Sequence, residues 1–303
     1  MKKTSVLYEC YMILCVVCWG LCNPIVKVGY QTAPAYLFSV YRFIASFLIF
    51  AVFAGKRIVK AARTNNFRHA LLISFFNGLA YFLGNISFNY GDATVCSFLI
   101  STSVVFTPFV ARVVLKKRMK LMMVPIIAVA LVGLYLVCGN SGEVHFGTGE
   151  LISLGCAVST ACAFVCTAKY SEEMDLSYLA ALQCIMALLF SLPFYFLYES
   201  YVPIWEFDRT SLLCLAFAVL IGTCLTFLLQ NLALRRVEPT VVSITCMLES
   251  ILTAIFAHFL LQESLSGRGF AGGGLILLSV LAAILLENGI IGKKEKTLER
   301  TGN

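Results

Sequence analysis

The sequence is short of charged residues and of histidines, and both shortages limit the class of protein it encodes. Only 13% of its 303 residues are charged, whereas a soluble domain has roughly a quarter, and 60% of the residues are hydrophobic. There are three histidines, and none of the 13 cysteines forms a CxxC pair beside one of them, so a metal site is not supported. The composition excludes an ordinary soluble domain and favours helices that cross a membrane.

Signals of catalysis are missing as well. The sequence has no paired catalytic carboxylates, no Ser–His arrangement and no metal-ligand cluster, which disfavours an intramembrane enzyme. The glycines at 269 and 272–274 follow no strand, so they predict close helix packing and not a nucleotide loop. The net charge of +7 requires no nucleic acid, because lysines and arginines beside membrane spans face anionic lipid headgroups. We expect neither an enzyme nor a bound cofactor.

Apolar runs long enough to cross a membrane recur along the whole chain. A span needs about 20 mostly apolar residues, and ten such runs are joined by short connections. The first follows Lys2 and Lys3 like a signal peptide, but no small-residue cleavage site follows it, so we expect it to remain as a helix. The predicted spans are 8–29, 35–54, 69–88, 95–115, 122–138, 149–170, 176–198, 212–233, 241–261 and 269–287. The predicted fold class is an all-α integral membrane protein with ten transmembrane helices.

The basic residues predict how the spans are oriented. With the N-terminus placed inside, 18 of the 23 lysines and arginines fall in inner connections and tails. Only Arg209 and Arg268 fall outside, and Lys27, Arg42 and Arg112 lie within spans. Because cytoplasmic connections carry the excess of positive charge, both termini are expected in the cytoplasm and the protein in the inner (plasma) membrane.

The two halves of the chain resemble each other. "NISFNYGDATVCSFL" (85–99) aligns with "NLALRRVEPTVVSIT" (231–245) at an offset of 146 residues, and "NPIVK" ending at Lys27 aligns with "FVCTAK" ending at Lys169 at an offset of 142. With five spans in each half, the second copy enters the membrane from the opposite side. The pairs matched in the longer alignment are Asn85 and Asn231, Asp92 and Glu238, Thr94 and Thr240, Val95 and Val241, and Ser97 and Ser243.

Inverted repeats of this kind are typical of secondary transporters, whose substrate site lies near the membrane midplane between the halves. We therefore predict two inverted five-helix repeats around a central cavity. Their predicted limits are 1–140 and 147–289, and a cytoplasmic tail follows at 290–303.

Three segments resemble a known family. "WGLCNPIVK" (19–27) is similar to the opening signature of the EamA-type transporters in the drug/metabolite transporter superfamily. "PAYLFSVYRFIAS" (34–46), with an arginine in the second span, resembles the same module, as does "LESILTAIFAHFLLQESL" (248–265), with its membrane glutamate and the glutamate that follows. The resemblance covers essentially the whole chain and implies ten helices in two inverted repeats, with export as the direction of transport.

Polar side chains recur along several spans at helical spacing. Residues three, four and seven apart share one face of a helix, so these stripes are expected to face a cavity or each other and not lipid. Hydrogen bonding between helices remains an alternative role for each of them. The candidate substrate-binding residues are Trp19, Asn23, Arg42, Asn77, Tyr81, Asn85, Gln230 and Glu249.

Arg42 and Glu249 are the two candidates that carry charge. Glu249 lies about nine residues from the inner end of its span, or roughly 13 Å, which is near the midplane. A charge there costs roughly 2.5–3.5 kcal/mol, so it needs a structural partner, a proton or a function. Glu249 is the proton-coupling candidate and an alternative site for a substrate ammonium; a purely structural Arg42–Glu249 pair remains open. Lys27 is expected to snorkel to the headgroups, and His258 to be structural.

The function expected is a secondary carrier that moves small metabolites, foremost amino acids and their relatives, by alternating access. The alternative within transporters is a sugar or nucleotide-sugar carrier, which a cavity with more positive charge than Lys27 and Arg42 would favour. A receptor or channel is disfavoured by the repeat. The expected partners are a small-molecule substrate and the lipid bilayer, with protons and a homodimeric second copy left open.

Overall fold

The described part of the chain is built from helices. The computed structural model describes residues 2–64, 66–116, 121–138, 147–262 and 267–287. The helices are α1 (Lys2–Gly29), α2 (Ala35–Thr64), α3 (Phe67–Tyr90), α4 (Ala93–Ser101), α5 (Ser103–Val114), α6 (Met123–Cys138), α7 (Thr148–Tyr170), α8 (Leu176–Tyr198), α9 (Arg209–Val219), α10 (Thr226–Leu234), α11 (Pro239–Leu261) and α12 (Gly267–Glu287). The predicted tail at 290–303 and Glu263 of the family motif lie outside the described residues.

All ten predicted spans are helical. Within the described residues, eight helical stretches are long and apolar enough to cross a bilayer, and two shorter apolar helices lie in α6 and α12. The fold is therefore an all-α membrane protein, as predicted. The second helix continues to Thr64 and not to residue 54, because the lysines, arginines and alanines beyond the apolar run are themselves good helix formers.

Two spans are not the continuous helices that the sequence suggested. The fourth span is divided at Thr102. The Thr102 hydroxyl donates to the Leu99 carbonyl at 2.6 Å, and its backbone N–H donates to the carbonyls of Ile100 and Leu99. Such local bonds compete with the regular helical ladder. The eighth contains a six-residue π-helical turn at Leu220–Leu225, between α9 and α10. Wide turns of this kind are often found at functional sites.

The helices pack with the pairing expected of two related halves. The first helix, α1, packs against α11 and α10, and its counterpart α7 packs against α5 and α3. Counterpart helices also meet directly, α2 on α8 and α6 on α12. At the last contact, a Cβ added to Gly133 would lie 2.7 Å from the carbonyl oxygen of Gly272, so α6 and α12 approach closely there. A Cβ on Gly273 would make ordinary contacts only and one on Gly274 none within 4 Å, so the role predicted for the glycine stretch is not seen at these two positions.

Hydroxyl pairs connect α4–α5 with α11, the segments that occupy equivalent places in the two repeats. Ser97 bonds Thr253 at 3.2 Å, and Thr107 and Ser243 lie 2.6 Å apart. Each pair is the repeat image of the other, because both serines and both threonines are related by the same 146-residue offset. The internal repeat of the sequence is thus visible in individual hydrogen bonds.

One end of the bundle is tied together between the halves. We call the end where α1 begins the proximal end and the end where it finishes the distal end. At the distal end, the Glu199 carboxylate accepts from the backbone N–H groups of Tyr36 and Leu37 at 3.0 and 2.7 Å. Asp208 caps α9 and accepts from the hydroxyl of Thr32 at 2.8 Å. Hydrogen bonds from Ser211, Thr32 and Thr210 hold the pKa of Asp208 well below its usual range.

The contact between α3 and α8 is close enough to require a glycine. A Cβ added to Gly78 would lie 2.6 Å from Met186 Cβ and 2.7 Å from the Ala187 nitrogen. We expect Gly78→Ala to destabilise the protein by about 1–3 kcal/mol, the usual cost of overpacking, and to lower the melting temperature in detergent. Gly55→Ala is the matched control, because a Cβ there meets nothing within 4 Å. Equal melting temperatures for the two variants would contradict the assignment.

Candidate functional site

A cavity of about 90 Å³ lies between the two halves and is lined by helices from both. All eight candidate residues lie on its wall: Trp19, Asn23, Arg42, Asn77, Tyr81, Asn85, Gln230 and Glu249. The polar stripes to which they belong thus face a common cavity, and their role in binding substrate stays a prediction.

Arg42 is buried on α2 and its guanidinium reaches from the first half into the second. Its Nε donates to the Thr223 hydroxyl at 2.7 Å, and its terminal nitrogens donate to Asn85 Oδ1 at 2.6 Å and to the Gly222 carbonyl at 2.9 Å. A guanidinium has five N–H donors; three are used in these bonds, and a fourth, on the nitrogen that bonds Gly222, donates to Cys22 Sγ at 3.9 Å. The fifth N–H, on the terminal nitrogen that bonds Asn85, can donate to a carboxylate, and Arg42 lines the cavity.

The π-helical turn is what brings α9–α10 to Arg42. The widened ladder places the Gly222 carbonyl and the Thr223 hydroxyl within reach of the same guanidinium. The approach leaves no room for a larger residue, because a Cβ on Gly222 would lie 3.0 Å from an Arg42 nitrogen and 2.2 Å from Cys22 Sγ. Close packing and hydrogen bonding thus fix the orientation of the arginine.

Glu249 faces the cavity from α11. Its carboxylate accepts from Asn23 Nδ2 at 2.7 Å, and the same amide nitrogen lies within 3.2 Å of the hydroxyls of Ser97 and Thr253. Hydrogen bonds to a charged acceptor are the stronger ones, so Asn23 holds the carboxylate in place. Within the described residues Glu249 and Arg42 form no ion pair with each other, so the structural pair considered above is not formed.

Among the residues that line the cavity, Arg42 and Glu249 are the two that carry a charge. Lys27, which shares a sequence stripe with Trp19 and Asn23, lies at the distal end, where it donates to the Gly91 carbonyl at 3.0 Å and is 3.6 Å from the Asp92 carboxylate. The wall described by the structure therefore carries one cation and one anion.

Aromatic and amide side chains form the remainder of the predicted wall. Trp19 donates its indole N–H to the Tyr81 hydroxyl at 2.7 Å, and that hydroxyl lies 3.3 Å from Thr226 Oγ1. These bonds link α1, α3 and α10 across the cavity. Asn77 lies one turn before Tyr81 on α3, and Gln230 lies one turn after Thr226 on α10, so both are nearer the proximal end.

Some other hydroxyl residues within the spans do not line the cavity. Ser39, Ser46 and Thr245 each donate to the carbonyl four residues earlier in their own helix, which is how a mid-helix hydroxyl is often satisfied. The ring of His258 lies beside Phe259 and outside the cavity, as expected for a structural residue.

Three helices of the cavity wall, α4, α5 and α7, held none of the candidate residues. The seventh helix contributes Cys156, Thr160, Ala163 and Phe164. These residues have helical spacing, but they are small or apolar and so resemble an ordinary packing face. The break at Thr102 also brings Ser101 and Ser103 to the wall.

Comparison with known proteins agrees with this architecture. The model of the EamA-like transporter family matches residues 6–139 and again 147–285. The chain belongs to the EamA-like transporter family. A solved crystal structure superposes on 96% of this chain and 100% of its own, with a TM-score of 0.78 at 13% identity, which supports the fold alone.

Two relatives carry names of the same kind. An uncharacterized transporter of Archaeoglobus fulgidus is 26% identical over 267 residues, covering 88% of this chain and 82% of its own. A probable amino-acid metabolite efflux pump of Salmonella typhimurium is 26% identical over 277 residues, covering 88% and 90%. Membership of the EamA-like family makes the protein a multi-pass membrane transporter of small molecules and not an enzyme.

Proposed function

We propose that this transporter exports a small zwitterionic metabolite, an amino acid or a close relative, by alternating access. The observation that carries the proposal is the placement of Arg42 and Glu249, which line one cavity from different helices without pairing. A zwitterion supplies a carboxylate for the guanidinium and an ammonium for the glutamate. Charge complementarity of this kind repays the cost of holding both groups within the membrane.

Export from the cytoplasm is supported by the Salmonella relative of similar length, which is named a probable amino-acid metabolite efflux pump. The lysines and arginines accumulate at the proximal end, which by the positive-inside rule is cytoplasmic. Both termini then lie in the cytoplasm of a cell whose plasma membrane holds the protein. Glu249, the only carboxylate among the lining residues, is the group through which protons would couple to transport.

The charges of the wall disfavour a nucleotide-sugar carrier. A nucleotide sugar carries a diphosphate, which calls for several cations and no nearby carboxylate. Here Arg42 faces Glu249, and Lys27 is engaged at the distal end. The alternative considered from the sequence therefore fits this site less well than a zwitterion does.

Counterflow into proteoliposomes tests the proposal. Vesicles containing the purified protein are loaded with a mixture of amino acids, and uptake of each labelled amino acid is measured. For the amino acid that exchanges, its decarboxylated amine and its deaminated acid are tested as competitors. We expect the amino acid to compete at least tenfold better than either, because each analogue leaves one buried charge unmatched. Equal competition by the amine would show that Arg42 does not bind a carboxylate.

A further inference from the structure

Two buried amides on the cavity wall have unused hydrogen-bonding capacity. Asn77 on α3 and Gln230 on α10 are 2% and 1% exposed, and both line the cavity. Among the residues that the structure describes, nothing donates to Asn77 Oδ1 or to Gln230 Oε1. Most buried polar atoms have a partner, so two unpartnered oxygens beside one cavity require an explanation.

The depth of the two amides in the bundle follows from a polar contact between their helices. The hydroxyls of Tyr81 and Thr226, on the same two helices, are 3.3 Å apart. Asn77 precedes Tyr81 by four residues and Gln230 follows Thr226 by four, and because α3 and α10 run in opposite directions both steps lead towards the proximal end. Four residues are about one helical turn, so both amides reach the cavity at the same depth.

A contrasting amide pair shows what a purely structural arrangement looks like in this protein. Asn231, the next residue after Gln230, exchanges two hydrogen bonds with Gln183 of α8, at 2.9 and 3.1 Å, away from the cavity. That pair satisfies itself. Asn77 and Gln230 do not, although the side chains of both are buried to the same degree.

We infer that Asn77 and Gln230 form a second subsite, which accepts hydrogen bonds from an N–H or O–H group at the far end of the substrate side chain. Terminal amide torsions are soft, so each carbonyl oxygen turns towards a donor that enters the cavity. This inference rests on the proposed function, because the charged end of the same substrate is held by Arg42 and Glu249. The substrate class narrows to polar amino acids with a distal donor, such as a hydroxyl or a carboxamide.

The inference is tested by competition between side chains of equal shape. Threonine is compared with valine, and glutamine with methionine, as competitors of counterflow in proteoliposomes. A site built to pair with a substrate donor rejects an analogue that lacks it. We therefore expect threonine to compete better than valine, or glutamine better than methionine, by roughly tenfold or more. Equal competition within both pairs by the wild-type protein would overturn the inference, and no variant is needed to see it.

Variants assign the effect to the two amides. Asn77→Leu and Gln230→Met keep the shape of the side chain and remove the acceptor, so each is expected to bring the competition of the donor-bearing amino acid down to that of its partner of equal shape. Gln183→Met is the control on the self-satisfied pair and should leave the preference unchanged. A preference that survives both cavity variants rejects the subsite. If no amino acid exchanges at all in the wild type, the proposed function fails instead, so the two failures are distinguishable.

Discussion

Glu249→Gln is expected to remove the pH dependence of transport in proteoliposomes and to reduce exchange at least tenfold. Glutamine keeps an acceptor for the Asn23 amide, which bonds the carboxylate at 2.7 Å, so the contact between α1 and α11 is retained. The variant cannot carry a negative charge or bind a proton there. Loss of one charged hydrogen bond to a substrate ammonium corresponds to roughly 1.5–3 kcal/mol. The measurement is counterflow across a series of external pH values.

Thr253→Val is the matched control for this variant. It removes a hydroxyl from the same hydrogen-bonded group but leaves the carboxylate, so the pH profile should persist. An unchanged profile in Glu249→Gln, with normal flux, would show that Glu249 is neither a proton site nor an ammonium site. A variant that fails to fold would instead identify the carboxylate as structural, which the melting temperature in detergent reports.

Arg42→Lys is expected to abolish exchange and to lower the melting temperature as well. A lysine ammonium is a point charge and cannot reproduce the planar fork that bonds Asn85, Thr223 and the Gly222 carbonyl. Each lost bond to a charged donor costs roughly 1.5–3 kcal/mol, and the bonds to Thr223 and Gly222 join the two halves. Counterflow and thermal unfolding are measured on the same preparation.

A second variant separates the position of Arg42 from its charge. Gly222→Ala retains the arginine but places a Cβ 2.2 Å from Cys22 Sγ and 3.0 Å from the guanidinium, so it should impair exchange without removing any charge. Adding Cys22→Ala removes the sulfur and is expected to restore part of the activity. Full activity in Gly222→Ala would contradict the view that the π-helical turn positions Arg42.

The sequence was most informative where a polar group is costly. An amide, an indole or a charge within a membrane span must face other protein or a cavity, so helical spacing alone placed Trp19, Asn23 and Glu249 on one wall. Hydroxyls were less informative. Ser39 and Ser46 bond the carbonyls of their own helix, and such a residue has the same appearance in a sequence whichever way it faces.

Contacts between the halves could not be anticipated from single spans. The reach of Arg42 to Gly222 depends on how α2 packs against α9–α10 and on a wide turn that has no strong sequence signal. The wall residues of α7 were not predicted, because small residues such as Cys156 and Ala163 suit a packing face as well as a cavity wall. The two-fold pairing was foreseeable only because the repeat is present in the sequence itself.

The π-helical turn also holds one residue more than an ordinary turn of the same span. Because the wide turn absorbs the extra residue, α10 continues in nearly the rotational phase that an uninterrupted helix would give it. Removing a single residue from Leu220–Leu225 would restore the ordinary ladder and leave Gln230 on the wall, but it would change the carbonyl and hydroxyl that face Arg42. In a transporter built this way, a change of one residue in chain length is a route to resetting one buried charge while the rest of the wall stays in place.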